Sequence, residues 1–183
     1  MPATHSKKMK AVILTADEFE DTELLFPYFR LLEEGIEVDI AGPKKEHVHG
    51  EHGYGLEVDL TFDEINPDTY DLLILPGGSP HGAPATVRQS KKAQDIAKSF
   101  FAKNKPVAAI CHGPYTLISA GLLKGRTATC FWGDGVPDEM TQAGANYVDQ
   151  SVVVDGNLVT SRYPWDLPDF MREMMKLVRK AVA

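Results

Sequence analysis

The sequence predicts an α/β fold with a mostly parallel central sheet covered by helices on both faces. Three observations predict it. Short, continuous apolar runs rich in β-branched residues occur at 10–15, 72–75 and 107–110; segments with helical apolar spacing lie between them; and Gly or Pro marks each change from one to the other. Strands buried on both faces read as continuous rather than alternating apolar runs, and a parallel pair needs a crossover long enough to hold a helix.

Along the chain, residues 1–9 are polar and without apolar period, a flexible tail before a single domain at 10–183. Residues 10–15 form the first strand, and Leu24, Leu25, Tyr28, Leu31 and Leu32 mark a helix that ends at Gly35. Residues 37–41 are the next strand, and 48–59 alternate about Gly53-Tyr54-Gly55 as a hairpin does. The strand at 72–75 stops at Pro76-Gly77-Gly78, and Ile96, Ala97, Phe100 and Phe101 place a helix at 91–103. After the strand at 107–110 a helix begins at Gly113-Pro114, where a proline's missing N–H costs least, and runs out near Gly121. Strands at 152–155 and 158–161 flank Gly156-Asn157 as a second hairpin, and Asp166 caps a final helix with Phe170, Met174, Leu177, Val178 and Ala181 on one face.

Bulk properties narrow the function classes. The chain has 183 residues, 43% hydrophobic and 25% charged, as an ordinary globular domain does. A chain of this length buries roughly 70% of its unfolded surface and needs neither disulfides nor a structural metal. Its two cysteines, far apart in sequence, suggest a reduced, cytoplasmic setting rather than a disulfide framework. The apolar run from Ala11 to Ala16 is too short for a signal-peptide core, and no stretch reads as membrane-spanning. The net charge of -7 argues against nucleic acid as a partner.

In an open parallel sheet the site lies outside the carboxyl ends of the strands, which directs attention to the segments after Thr15, Leu75 and Ile110. Cys111 follows a buried strand and precedes a helix, with Gly113 two residues on: the pattern of a nucleophile elbow. Helix N-terminal N–H groups facing the sulfur would lower its pKa from about 8.5 to about 3.5–7.5. The plainer alternative, a buried cysteine used as a small hydrophobe, does not account for the elbow. Glu20, in the acidic turn after the first strand, reads either as a solvated residue or helix cap, or as a carboxyl reaching the Cys111 sulfur. Gly77-Gly78 reads as a turn, and also as a place where the Gly78 N–H joins that of His112 in an oxyanion hole.

These residues carry a family resemblance. The segments Ala-Asp-Glu-Phe-Glu-Asp at 16–21, Leu-Pro-Gly-Gly at 75–78, Ala-Ile-Cys-His-Gly-Pro at 109–114 and Val-Val-Val-Asp-Gly-Asn at 152–157 resemble the PfpI/ThiJ family. That family contains archaeal intracellular proteases and the parkinsonism-associated deglycase, on a flavodoxin-like three-layer sandwich related to class I glutamine amidotransferases. The resemblance implies Cys111 as nucleophile, Glu20 as the carboxyl hydrogen-bonded to its sulfur, His112 as the neighbouring acid/base, and Gly77, Gly78 and His112 as the oxyanion or substrate-binding positions. It also implies a homodimer or larger homo-oligomer. PfpI-like proteases carry an acid, supplied by an adjacent subunit, soon after the double glycine. The corresponding stretch here, residues 79–86, is a longer loop without a carboxylate, with Ala85 at the acid position and His81 nearby, so a Cys-His-acid triad is expected to be incomplete.

Other features carry less. His47, His49 and His52 fall in a hairpin loop without a completed ligand set, so no metal and no cofactor are expected. Cys130 reads as a packed strand cysteine, Met171, Met174 and Met175 as packing residues, and Trp132 and Trp165 as pocket rim or structure. Three functions follow from a Cys111 thiolate. The first is attack on a reactive carbonyl such as methylglyoxal (glyoxalase III-like), with Glu20 or His112 moving a proton, or deglycation of a glycated protein or peptide through the same adduct. The second is a cysteine peptidase, and the third a non-enzymatic oxidation sensor or holding chaperone.

Overall fold

The structure, a computed structural model, describes residues 8–182. Its central sheet has seven strands in the order β10-β11-β7-β6-β1-β2-β5, namely Val152–Asp155 (β10), Leu158–Ser161 (β11), Val107–Ile110 (β7), Leu72–Leu75 (β6), Lys10–Leu14 (β1), Glu37–Gly42 (β2) and Leu60–Thr61 (β5). Every pairing is parallel except the β10/β11 hairpin. The smaller hairpin pairs His47–His49 (β3) with Gly55–Glu57 (β4), and Thr127–Ala128 (β8) lies beside Asn146–Tyr147 (β9).

Strand alternation divides the core into two layers. On β1, Ala11 and Ile13 face the layer that holds Leu24 and Leu31 of α1 (Asp21–Glu33) and Phe170 and Met174 of α6 (Leu167–Val182). Val12 and Leu14 face the opposite layer, with Phe100 and Ala97 of α3 (Lys91–Ala102), Val87 of α2 (Ala83–Gln89), Leu117 of α4 (Tyr115–Ser119) and Met140 of α5 (Val136–Gln142). This is the three-layer sandwich that continuous apolar strands require. Side chains on the central strands β6 and β7 are at most 1% exposed, so the strand ends are held on a rigid base.

Several local expectations are revised. Residues 1–7 of the expected tail lie outside the described residues, but Met9 O accepts the Glu37 N–H at 3.0 Å and Lys8 pairs with Glu37 at 2.9 Å, so ordered chain begins before residue 10. The expected loop at 79–86 is a short turn followed by α2, whose N-cap is Gly82. The helix after Cys111 is only five residues long, because Pro114 is its N-cap and Gly121 leaves it at φ +71°. Asp166 does not spend its carboxylate on the N-terminus of α6; both oxygens bind Arg162. Cys130 lies two residues beyond β8, fully buried but outside a strand. No helix among the described residues is long and apolar enough to cross a membrane.

The elbow after β7 depends on close backbone approach. A Cβ at Gly113 would overlap the carbonyl oxygen of Leu75 and crowd that of Ile110. Because both acceptors are buried backbone atoms of central strands, neither can yield. Gly113→Ala should therefore lose about 3 kcal/mol of stability in urea unfolding; a loss under about 1 kcal/mol would show that the elbow has slack.

Candidate functional site

The loops after β1, β6 and β7 converge as open-sheet topology requires. Glu20 N–H donates to Gly77 O at 3.0 Å, Ser79 N–H to Glu18 O at 3.1 Å, and Cys111 N–H to Ser161 O at 3.1 Å. Cys111 has φ +63°, an uncommon conformation for a residue with a Cβ, and it is 7% exposed. This strained turn lifts the sulfur off the strand end, as in a nucleophile elbow. The backbone N–H groups of His112 and Gly78 act on the Cys111 sulfur and favour its anionic form.

The carboxyl beside the sulfur is Glu23, not Glu20. Glu23 is 0% exposed, and its Oε2 accepts the Gly77 N–H at 2.8 Å. A Cβ at Gly77 would overlap both Glu23 Oε2 and Cys111 Cβ, which fixes glycine there and brings the carboxyl and the cysteine together against one residue. Burial, and then the charge of Glu20, push the Glu23 carboxyl well above its ordinary value. Glu20 instead caps α1: its Oε1 accepts from Thr22 N at 3.1 Å and Thr22 Oγ1 at 2.6 Å. The helix-cap reading of Glu20 is the one the geometry bears out. A signal for Glu23 was available, since Glu23, Pro27 and Leu31 share the buried face of α1 at helical spacing, and a carboxyl on an apolar face calls for a reason.

The opposite side of the sulfur holds a base. His112 Nδ1 lies 3.3 Å from Cys111 Sγ, and its Nε2 lies 2.9 Å from Asp134 Oδ2. With Asp134 accepting from Nε2–H, the tautomer leaves Nδ1 as the bare nitrogen facing the sulfur. Burial holds the His112 pKa below its ordinary value, with Asp134 acting in the opposite sense. A Cys-His-Asp alignment is therefore present within one chain, against the expectation of an incomplete triad at Ala85. Asp134 sits at φ +54° between Gly133 and Gly135, 22 residues from His112, where no periodicity marks it. The expected low thiol pKa does not follow from placement alone: burial first, and the Glu23 charge second, push the Cys111 thiol up, while the His112 and Gly78 N–H groups pull it down. Cys130, buried beside Asp149, is pushed up to about 12.

An aromatic row leads outward from His112. Ring centroids are 4.9 Å apart for His112 and Phe131, 4.9 Å for Phe131 and Trp132, and 4.8 Å for Trp132 and Tyr163. Trp132 thus stands beside the site, whereas Trp165 lines an apolar groove with Phe26 and Phe29.

A model described as the DJ-1/PfpI family matches residues 9–177. The chain belongs to the DJ-1/PfpI family. A Pyrococcus furiosus protein named Deglycase PfpI is 54% identical over 171 residues, 93% of this chain and 100% of that protein. Among solved structures, an Anabaena variabilis protein with DJ-1/ThiJ/PfpI-like and ferritin-like domains aligns with TM-score 0.87 at 36% identity, over 92% of this chain and 48% of that one. Drosophila melanogaster DJ-1beta aligns with TM-score 0.81 at 27% identity, over 95% of each chain.

On this DJ-1/PfpI scaffold, Cys111, His112, Gly77 and Gly78 meet as expected, Glu20 lies one helical turn away, and His81 is exposed. His47 pairs with Glu57 at 2.7 Å, and His52 approaches Glu20 at 3.8 Å. Among the described residues no three His, Cys, Asp or Glu side chains are grouped to hold a metal.

The raised Glu23 pKa has a measurable consequence. Between the ordinary carboxyl value of 4.5 and the raised one, the folded chain holds a proton that the unfolded chain has lost. The stability tied to this group is therefore fully present below the ordinary value and is lost as pH rises through the raised one. Glu23→Gln cannot ionise, so its Tm relative to wild type should climb as pH rises above the ordinary carboxyl value of 4.5. A Tm difference that stays constant above that value would show that burial does not raise the carboxyl.

Proposed function

We propose that this chain is a cysteine-dependent enzyme of reactive-carbonyl chemistry, a deglycase that releases amines or thiols from methylglyoxal adducts and converts the free aldehyde by the same route. One observation carries the reading: Cys111 Sγ lies between the fully buried Glu23 carboxyl and a His112 imidazole held by Asp134, and burial raises the proton affinity of the first while lowering that of the second. Such a division separates an acid from a base at neutral pH. The curated relatives named deglycases support the same reading.

In this reading His112 Nδ1 takes the thiol proton, and a protonated Glu23 no longer repels the sulfur but donates towards it. The sulfur adds to the aldehyde-derived carbon of the adduct, the carbon–nitrogen bond breaks, and the amine leaves with the proton from His112. The bound species is then a hemithioacetal with a neighbouring ketone. His112 Nδ1, neutral again, takes its C–H proton as Glu23 protonates the ketone oxygen, and the enediol so formed gives a hydroxyl proton back to Glu23 while His112 delivers its proton to the adjacent carbon, giving a thioester of the 2-hydroxy acid. Water hydrolyses that thioester, restoring the thiol and releasing lactate, so one water is consumed for each adduct. The Gly78 and His112 N–H groups stabilise the oxyanion at each addition. No step draws on a cofactor.

The Cys111–His112–Asp134 alignment favours a second reading, a peptidase, by supplying the acid that holds the imidazole. Homo-oligomerisation, which the family resemblance implies, belongs to the same proposal and would appear as a solution mass at a multiple of 20.2 kDa.

Methylglyoxal turnover and casein cleavage measured on one preparation separate the readings. Cys111→Ser should cut aldehyde turnover by at least about a thousandfold at unchanged circular dichroism, because a serine hydroxyl is not an activated anion at neutral pH. Activity within tenfold of wild type would exclude covalent catalysis at Cys111. Casein cleavage lost in both Cys111→Ser and Asp134→Asn, with no aldehyde turnover in wild type, would put the peptidase first.

A further inference from the structure

Arg88, on α2, is the one side chain that reaches both helices that follow the His112 and Asp134 loops. Its Nη2 and Nη1 donate to Glu139 Oε2 at 2.8 Å and Oε1 at 3.4 Å, and its Nε donates to Ser119 Oγ at 2.9 Å. The guanidinium carbon also stands 4.2 Å from the centre of the Tyr115 ring. An isolated surface ion pair is weak, but a two-pronged Arg–carboxylate pair that is stacked on a ring as well holds its partners in one geometry. Lysine makes no such fork.

What the fork ties together is the site. α2 follows the Gly77-Gly78 turn, α4 follows Cys111 and His112, and α5 follows Asp134. Arg88 holds both ends of α4, at Tyr115 and Ser119, and the first turn of α5, at Glu139, whose N–H donates to Gly135 O at 3.0 Å. Asp134 lies in the link at 131–135, anchored at one end by the Phe131 N–H on Cys111 O at 3.0 Å and at the other by the start of α5 at Gly135. Its carboxylate is 47% exposed, and its partner is His112 Nε2. Where that carboxylate lies is therefore set by where α5 begins.

The titratable and charged groups around His112 are Cys111, with Glu23 beyond the sulfur; Asp134 at Nε2; and Tyr115, whose ring is 5.4 Å away, with Arg88 and Glu139 behind it. Asp134 raises the proton affinity of His112 against the effect of burial, a hold that is lost if the carboxylate drifts.

We propose that Arg88 is a positioning residue: by fixing α5 against α4 it keeps the Asp134 carboxylate on His112 Nε2, and so sets the imidazole that moves protons at Cys111. This rests on the carbonyl-chemistry reading, in which His112 is the base. Position and charge predict opposite signs. If Arg88 acted by its charge alone, removing it would raise the His112 pKa, because one cation disfavours another; if it acts through Asp134, removing it lets the pKa fall.

Nitrogen-15 NMR titration of His112 in the Cys111→Ser protein, where no thiol titrates beside it, reads this without turnover. Arg88→Met, Arg88→Lys and Asp134→Asn should each lower the His112 pKa by about one pH unit, and Arg88→Lys combined with Asp134→Asn should go no lower. Arg88→Lys keeps the charge on the surface and decides the matter if Arg88→Met does not fold. A His112 pKa unchanged or raised in Arg88→Lys, or two falls that add in the double variant, would overturn the assignment. With Cys111 restored, Arg88→Lys should lower kcat for release of the amine from methylglyoxal-treated Nα-acetyllysine about tenfold at unchanged KM, since the leaving nitrogen takes its proton from His112. An unchanged kcat would also overturn it. If the wild type releases no amine and turns over no aldehyde, the deglycase reading falls alone and the titration still decides this one; wild-type turnover beside an unaltered titration in Arg88→Lys sinks this one alone.

Discussion

The structure of the site depends on one buried carboxyl. Glu23 has no exposed surface and, among the described residues, no cation beside it; what it has is the Gly77 N–H and the Cys111 side chain. A carboxylate so placed costs several kcal/mol, and the cheaper solution is to keep its proton. That requirement shapes what surrounds it. Residue 77 must be glycine to present its N–H without a Cβ, Gly78 must take φ +148° to lie against the turn at Phe19, and Cys111 must adopt φ +63° to bring its sulfur alongside.

The other side of the sulfur is built on the opposite principle. His112 is 4% exposed and loses proton affinity to burial, yet Asp134 holds its far nitrogen and offsets part of that loss. Glu23 is fixed by helix, strand end and glycine, all deeply buried. Asp134 is the more exposed partner, with 47% of its side chain open to solvent on a positive-φ residue between two glycines. In the proposed carbonyl chemistry, a small substrate needs only Glu23 and the bare imidazole. A peptide leaving group asks for a well-oriented imidazolium, and so for Asp134.

Most of the fold was legible because burial imprints the sequence. Continuous runs such as Leu72–Leu75 admit little besides a strand covered on both faces, and Phe100 and Phe170 mark helix faces by spacing alone. The two-residue strands β5, β8 and β9 escaped because two residues carry no period. Within the site, Cys111, His112 and the double glycine were legible because the elbow is contiguous in sequence. Glu20 draws attention because it sits in the acidic turn whose motif carries the family resemblance, whereas Glu23 is a polar member of a helix face that shows itself in sequence through its apolar members. Asp134 could not be found in this way, since its meeting with His112 is set by how the chain returns after β8.

The proposed chemistry turns on whether Glu23 carries a proton beside the Cys111 sulfur at neutral pH. The infrared difference spectrum of wild type minus Glu23→Gln at pH 7 reads this directly. A carbonyl-stretch band of a protonated carboxylic acid, present in wild type and absent from the variant, is the predicted result. A difference confined to the carboxylate bands would mean that Glu23 is ionised in the resting protein, and the division of labour between an acid on one side of the sulfur and a base on the other would be wrong.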